Sequence, residues 1–229
     1  PIHPEKFAEM IGVSPEVLTA LIGRAKLKLY EAREQRVHPA RDEKVITAWN
    51  GLMLRAFAEA GFALDERYTQ AAVRNADFLL RELRPNGRLL RTWKPVLSSV
   101  EGDGVAKGNG YLEDYACLAD GLIATYQATF APRFLRAAIE LADEMLELFW
   151  DNLAEGFYDT GKDHETLISR PRDFFDNATP SGTSVAIDVL LHLAALTGNT
   201  DYERRAATCL RAVAPMLTRA ATGFGRVLS

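Results

Sequence analysis

Asp176-Asn177-Ala178-Thr179-Pro180-Ser181-Gly182-Thr183-Ser184 is a polar, proline-kinked stretch that runs directly into an apolar segment over residues 185–196. Proline beside serine ahead of an apolar run spells a helix start, where the first backbone N–H groups have no partner inside the helix. Acid, amide and hydroxyl side chains then share space with unpaired N–H donors, which suits a lone-pair acceptor or an anion. Two readings fit: Ser181 or Thr183 simply caps the helix, or the stretch also lines a binding site. The pattern decides the fold because the chain builds it three times.

Residues 36–44 form a proline-broken polar loop that leads into Val45-Ile46-Thr47-Ala48-Trp49-Asn50-Gly51-Leu52-Met53-Leu54, and a glycine-loosened loop leads into Tyr111-Leu112-Glu113-Asp114-Tyr115. Each start opens one apolar helical run, and a second, amphipathic run follows it. The aromatic that opens each second helix recurs at near-equal spacing as Tyr68, Phe134 and Tyr202, and one turn later each copy has alanine, at Ala72, Ala138 and Ala206. In the same register Asp120 matches Asp188, whereas the first copy has Leu54. The sequence therefore predicts an all-α domain of three helical hairpins, at about 45–83, 111–150 and 181–219, preceded by N-terminal helices within residues 1–36. Stacked hairpins have parallel first helices, so the three polar starts meet at one end, and a site belongs there.

The connections are less regular. Leu89-Leu90-Arg91-Thr92-Trp93, beside the tight-turn pair Asn86-Gly87, predicts a short strand, while Gly102, Gly104, Gly108 and Gly110 predict loop. Gly156-Phe157-Tyr158-Asp159-Thr160 and Glu165-Thr166-Leu167-Ile168-Ser169 are expected to pair as short strands, and residues 222–229 read as cut mid-structure.

Composition bounds the chemistry. The chain of 229 residues is 48% hydrophobic and 25% charged, which suits a folded, water-soluble protein with a sizeable core. Lys and Arg total 27 against 31 Asp and Glu with the signs scattered, so there is no basic stripe for nucleic acid. Cys117 and Cys209 lie in separate apolar helical runs without metal or redox spacing, and both are expected as buried thiols; no metal and no cofactor is expected. No run of about 18 apolar residues and no secretory-signal pattern occurs, which excludes a membrane span and leaves a cytoplasmic location as the expectation. Of the four histidines, His192 is expected in the core and His38 and His164 on surface loops.

Three motifs carry a family resemblance. Pro39, Asp42 and Lys44 before Trp49 to Met53, then Leu112 to Ala116 with Gly121, Leu122, Tyr126 and Gln127, then Asp176, Ala178 and Pro180 to Gly182, resemble the helical domain of the bacterial YyaL and animal spermatogenesis-associated protein 20 family. Glu113 stands where that family more often has Asp, and Thr183 where it often has Asn. The resemblance implies an (α/α)6 toroid like that of six-hairpin glycosidases and N-acylglucosamine 2-epimerase, with about half a barrel and short β-hairpins in the loops in this chain. It also implies a thioredoxin-like domain elsewhere in the parent protein as a partner.

At the shared end, Trp49, Tyr111 and Tyr115 offer aromatic faces for a sugar, and Asn50, Ser181 and Thr183 offer hydrogen bonds to its hydroxyls. Glycoside hydrolysis uses two carboxyl groups, about 5–5.5 Å apart for retention or about 6.5–9.5 Å for inversion. Glu113, Asp114 and Asp176 are the candidates. Asp114 also reads as a helix-start acid and Asp176 as a turn acid. The functional expectation is a carbohydrate-binding or carbohydrate-processing domain, glycosidase-like or epimerase-like, with a non-catalytic scaffold for the thioredoxin-like domain as the alternative.

Overall fold

A computed structural model describes residues 2–96, 103–166 and 168–228. The chain divides into two compact units, Pro1–Asp42 and Glu43–Ser229. In the first, α1 (Pro4–Met10) and α2 (Pro15–Glu34) follow their proline signals, and the Ser14 hydroxyl accepts from the Val17 N–H at 3.3 Å. Within α2 only Leu18 is buried; Leu21, Ile22 and Leu29 of the same apolar pattern are exposed.

The second unit contains three helical hairpins: α3 (Thr47–Ala63) with α4 (Glu66–Glu82), α5 (Leu112–Thr129) with α6 (Pro132–Phe149), and α7 (Gly182–Thr197) with α8 (Thr200–Leu217). Helix α5 is the axis of the core. It packs against α3 on one side and α7 on the other, and every residue from 112 to 125 except Glu113 is buried. Two glycines set how closely α3 and α5 approach. A Cβ on Gly51 would lie 2.5 Å from the Cys117 carbonyl, and one on Gly121 would lie 2.6 Å from the Gly51 carbonyl oxygen, so backbone packs on backbone there. Both cysteines are buried thiols, and burial pushes Cys209 up to about 12. Among the described residues no helix is long and apolar enough to cross a membrane.

The connections correct the sequence reading in two places. The strand expected at Leu89 to Trp93 forms as β2 (Leu90–Pro95), but it lies between β1 (Val45–Ile46) and β3 (Gly104–Asn109) in an antiparallel sheet, so the glycine-rich segment is a strand as well. Gly104 is required there: the Trp93 indole occupies the place of its Cβ, 2.0 Å from the nearest ring carbon. The second expected hairpin is replaced by β4 (Trp150–Asp151) pairing with β5 (Gly156–Phe157). The Asp151 carboxylate accepts from Leu153 and Ala154 N–H, and Glu155 takes a left-handed φ of 48°, which reverses the chain directly after α6. Leu167 of the expected partner strand lies outside the described residues. Finally, the tail folds back: Phe224 is buried, 5.0 Å ring to ring from Phe175, and the Arg226 N–H donates to Asp176 at 2.7 Å.

The helix crossing gives a direct test. Gly121→Ala should destabilise the protein by about 3 kcal/mol, the upper range for overpacking a tight core, and lower Tm by roughly 6–12 °C. Gly23→Ala, in α2 with open space at its Cβ, should cause no loss. Thermal denaturation of the two variants checks this; equal effects would contradict the crossing geometry.

Candidate functional site

The starts of α3 and α5 are joined by one side chain. Asp114 is fully buried in the first turn of α5, and its Oδ2 accepts from the Tyr111 N–H at 2.9 Å, closing the helix's own start. Its Oδ1 accepts from the Ala48 N–H at 3.0 Å, which caps α3 from a neighbouring helix because Ile46 at that helix's start has no side chain able to do so. Arg91 of β2 donates to Asp114 at 3.1 Å and to Glu113 at 2.8 Å. Thr47, fully buried, donates to the Leu90 carbonyl at 2.6 Å and ties α3 to the same strand. Burial pushes the Asp114 carboxyl up to about 6, with the Tyr111 N–H and Arg91 acting against it. Both its oxygens are occupied by structure.

Beside this joint, at the starts of α5 and α7, lies a cleft of about 350 Å3 lined by Arg91, Tyr111, Glu113, Asp159, Asp173, Phe175 and the 177–182 stretch. Of the residues expected from the sequence it gathers Tyr111, Glu113 and Ser181. Ser181 is also the cap of α7, its Oγ accepting from the Ser184 N–H at 3.1 Å. The others lie elsewhere. Asp176 uses both oxygens on backbone N–H groups, of Ser181 at 2.8 Å and Arg226 at 2.7 Å, so it is a turn acid. The Tyr115 hydroxyl accepts from Arg88 and the Leu89 N–H and donates to Glu144, pinning α5 to α6 in the core. Thr183 is buried, and Asn50 donates to the Ile46 carbonyl at 2.9 Å. Trp49, expected to offer a ring face to a sugar, is 61% exposed and lines no part of the cleft.

Sequence reasoning missed Asp159, Asp173 and Arg91. The first two come from the irregular segment after β5, which has no periodicity to mark it. It is held over the helix starts by the Leu112 N–H donating to the Asp159 carbonyl at 3.0 Å and the Asp159 N–H donating to the Pro171 carbonyl at 2.9 Å. The Asp173 N–H donates to the Asp159 carboxylate at 2.9 Å. Burial pushes the Asp159 carboxyl up to about 6, and the charges of Asp173 and Glu113 act in the same direction.

A second charged cluster sits between α3, α5 and α7. Asp120, Asp188 and His192 bring one ligand atom each within 4.8 Å of one another. Arg55 meets Asp120 at 2.5 Å, and Arg226 meets Asp120 at 3.0 Å and also Asp188, so guanidinium charge already balances both acids where a metal ion would have to sit. His192, expected in the core, is partly exposed, with Nδ1 3.8 Å from Asp188.

This architecture is a helical-hairpin (α/α) repeat of the kind found in six-hairpin carbohydrate-processing enzymes. It is similar to cellobiose 2-epimerase from Spirochaeta thermophila (TM-score 0.60, 16% identity, 76% of this chain and 44% of that one). It is likewise similar to unsaturated glucuronyl hydrolase from a Bacillus species (TM-score 0.59, 18% identity, 78% and 49%). No protein-family model matches the chain. In sequence it is 35% identical over 216 residues to spermatogenesis-associated protein 20 of Rattus norvegicus, covering 91% of this chain and 27% of that protein. The chain is a homologue of the spermatogenesis-associated protein 20 proteins and spans about a quarter of the length of the one it matches here.

Asp114 carries a testable signature. Its folded value lies above the ordinary 3.8, so the proton binds the folded state first; the resulting stability is present below 3.8 and lost as pH rises through about 6. Asp114→Ala should cost about 3 kcal/mol or more, because it orphans two backbone N–H groups and leaves Arg91 with Glu113 alone. It should also flatten the fall in stability between pH 4 and pH 7, as read by urea denaturation at several pH values.

Proposed function

We propose that the cleft binds a carbohydrate and performs acid/base chemistry on it, with Asp159 as the proton donor. The observation that carries this reading is the convergence of three carboxyl groups, Glu113, Asp159 and Asp173, on one open cleft in which Asp159 is raised to about 6. Carboxyl groups whose environments drive their proton affinities apart are how one site holds an acid and a base together. Asp159 supplies the proton, and Glu113 or Asp173 supplies the base. Tyr111 and Phe175 offer ring faces to the C–H side of a pyranose, and Asn177, Thr179 and Ser181 offer partners to hydroxyls. The likeness to sugar-processing enzymes of the same fold supports the substrate class by analogy. Hydrolysis and epimerisation both need such an acid and base, and the product separates them.

The test is thermal unfolding of the full-length protein with glucose, mannose and N-acetylglucosamine, followed by product analysis by NMR with their disaccharides. A sugar at about 100 times its Kd should stabilise by roughly 2.7 kcal/mol. Turnover should fall as pH rises through about 6, since the donor must be protonated, and Asp159→Asn should lower it by about 100-fold or more. A flat response to every sugar would leave the cleft as part of a scaffold serving a thioredoxin-like partner domain.

A further inference from the structure

The cleft does not end at Tyr111. A second cleft of about 350 Å3, lined by Gly108, Asn109, Thr160, Asp163, His164 and Glu165, shares Arg91 and Tyr111 with the first. Either one alone stands at the small end of ligand sites, about 300–1,000 Å3. The shared wall is rigid. The Arg91 guanidinium lies 4.6 Å over the Tyr111 ring, and the His164 ring meets Tyr111 at 4.8 Å in an edge-on arrangement. The Gly161 N–H donates to His164 Nδ1 at 3.3 Å and fixes that ring in turn. Tyr111 is therefore a braced aromatic ridge between two cups, 36% exposed; Arg91 covers one ring face, and a ligand at the junction meets the exposed remainder of the ring.

Charge narrows the ligand further. Among the described residues that line the two clefts, Arg91 is the one Lys or Arg, against the acids Glu113, Asp159, Asp173, Asp163 and Glu165. Arg91 is already turned on Glu113 and Asp114. Arg88, behind the second cleft, is engaged with Asp163 at 2.8 Å, with the Tyr115 hydroxyl at 2.7 Å and with the Gly110 carbonyl at 3.2 Å. Arg170 and Arg172 also act on His164 and Asp159 from beside the clefts, but they donate to the Thr160 and Phe157 carbonyls and do not line either cup. A carboxylate or sulfate on the ligand would therefore meet mostly like charge in the lining, and that juxtaposition is unfavourable.

We infer that the two clefts form one elongated site for a neutral or amino-sugar oligosaccharide of at least two units, seated across Tyr111 with one unit in each cup, and that the site rejects acidic sugars. This rests on the carbohydrate reading above and adds length and charge selection to it.

Calorimetric titration of the full-length protein tests both. The probes are glucose and mannose, their β-1,4-linked disaccharides cellobiose and mannobiose, the glucosamine disaccharide, and cellobiouronic acid. A neutral or amino disaccharide should bind roughly tenfold or more tighter than a monosaccharide, and cellobiouronic acid roughly tenfold or more weaker than cellobiose. Asn109→Ala, in the second cup, should narrow the disaccharide-to-monosaccharide ratio, and Glu165→Gln should raise the relative affinity for the acidic sugar. Equal affinity for one and two units, or preference for the acidic disaccharide, overturns this inference while the carbohydrate reading stands. Binding of no saccharide overturns both.

Discussion

A single buried carboxylate organises the cleft end of the second unit. Taking Asp114 out of water is costly, and the structure offsets that cost with two backbone N–H groups from different helices and one guanidinium. Those partners are the starts of α3 and α5 and the middle of β2, so the charge can be satisfied only when all three are in register. The close α3–α5 crossing, allowed by Gly51 and Gly121, makes that reach possible. Satisfying Asp114 thus fixes Arg91, and Arg91 fixes Glu113 and the Tyr111 ring at the edge of the cleft.

The cleft is then finished by segments without regular structure. The run between β5 and α7 lays Asp159, Asp173 and Phe175 over the helix starts, held there by the main-chain bond from Leu112 to Asp159 and closed on itself by the bond from Asp159 to Pro171. Asp159 owes its raised proton affinity to that placement, since burial comes first and the neighbouring acids add to it. Asp176 anchors the far end, joining the α7 start to the returning tail at Arg226, whose side chain helps neutralise Asp120 and Asp188. Structural acids and cleft acids are therefore neighbours in sequence and distinct in role. Asp114 and Asp176 hold the frame, whereas Glu113, Asp159 and Asp173 line the open cleft.

The helical hairpins were legible because their signal is repetitive: an aromatic and an alanine at fixed positions in each second helix, and a polar start before each first one. The cleft lies where that pattern points, since parallel first helices bring their starts together. Its composition was only partly legible. Tyr111, Glu113 and Ser181 sit at helix starts, where sequence patterns point, and all three line the cleft. Asp159 and Asp173 sit in loop, where position depends on main-chain contacts to residues distant in sequence. Trp49 misled because an aromatic beside a helix start reads as a wall, but the face it occupies on α3 is turned to solvent. The β3 strand was hidden by its glycines, one of which is there to admit the Trp93 ring.

The most direct measurement is a crystal structure of the full-length protein soaked with cellobiose or mannobiose. Sugar density is expected against the Tyr111 ring, with a hydroxyl or the linkage oxygen in hydrogen-bonding reach of Asp159 and one unit on each side of the ring. Sugar bound elsewhere on the molecule, or a cleft filled by another part of the same protein, would contradict that expectation.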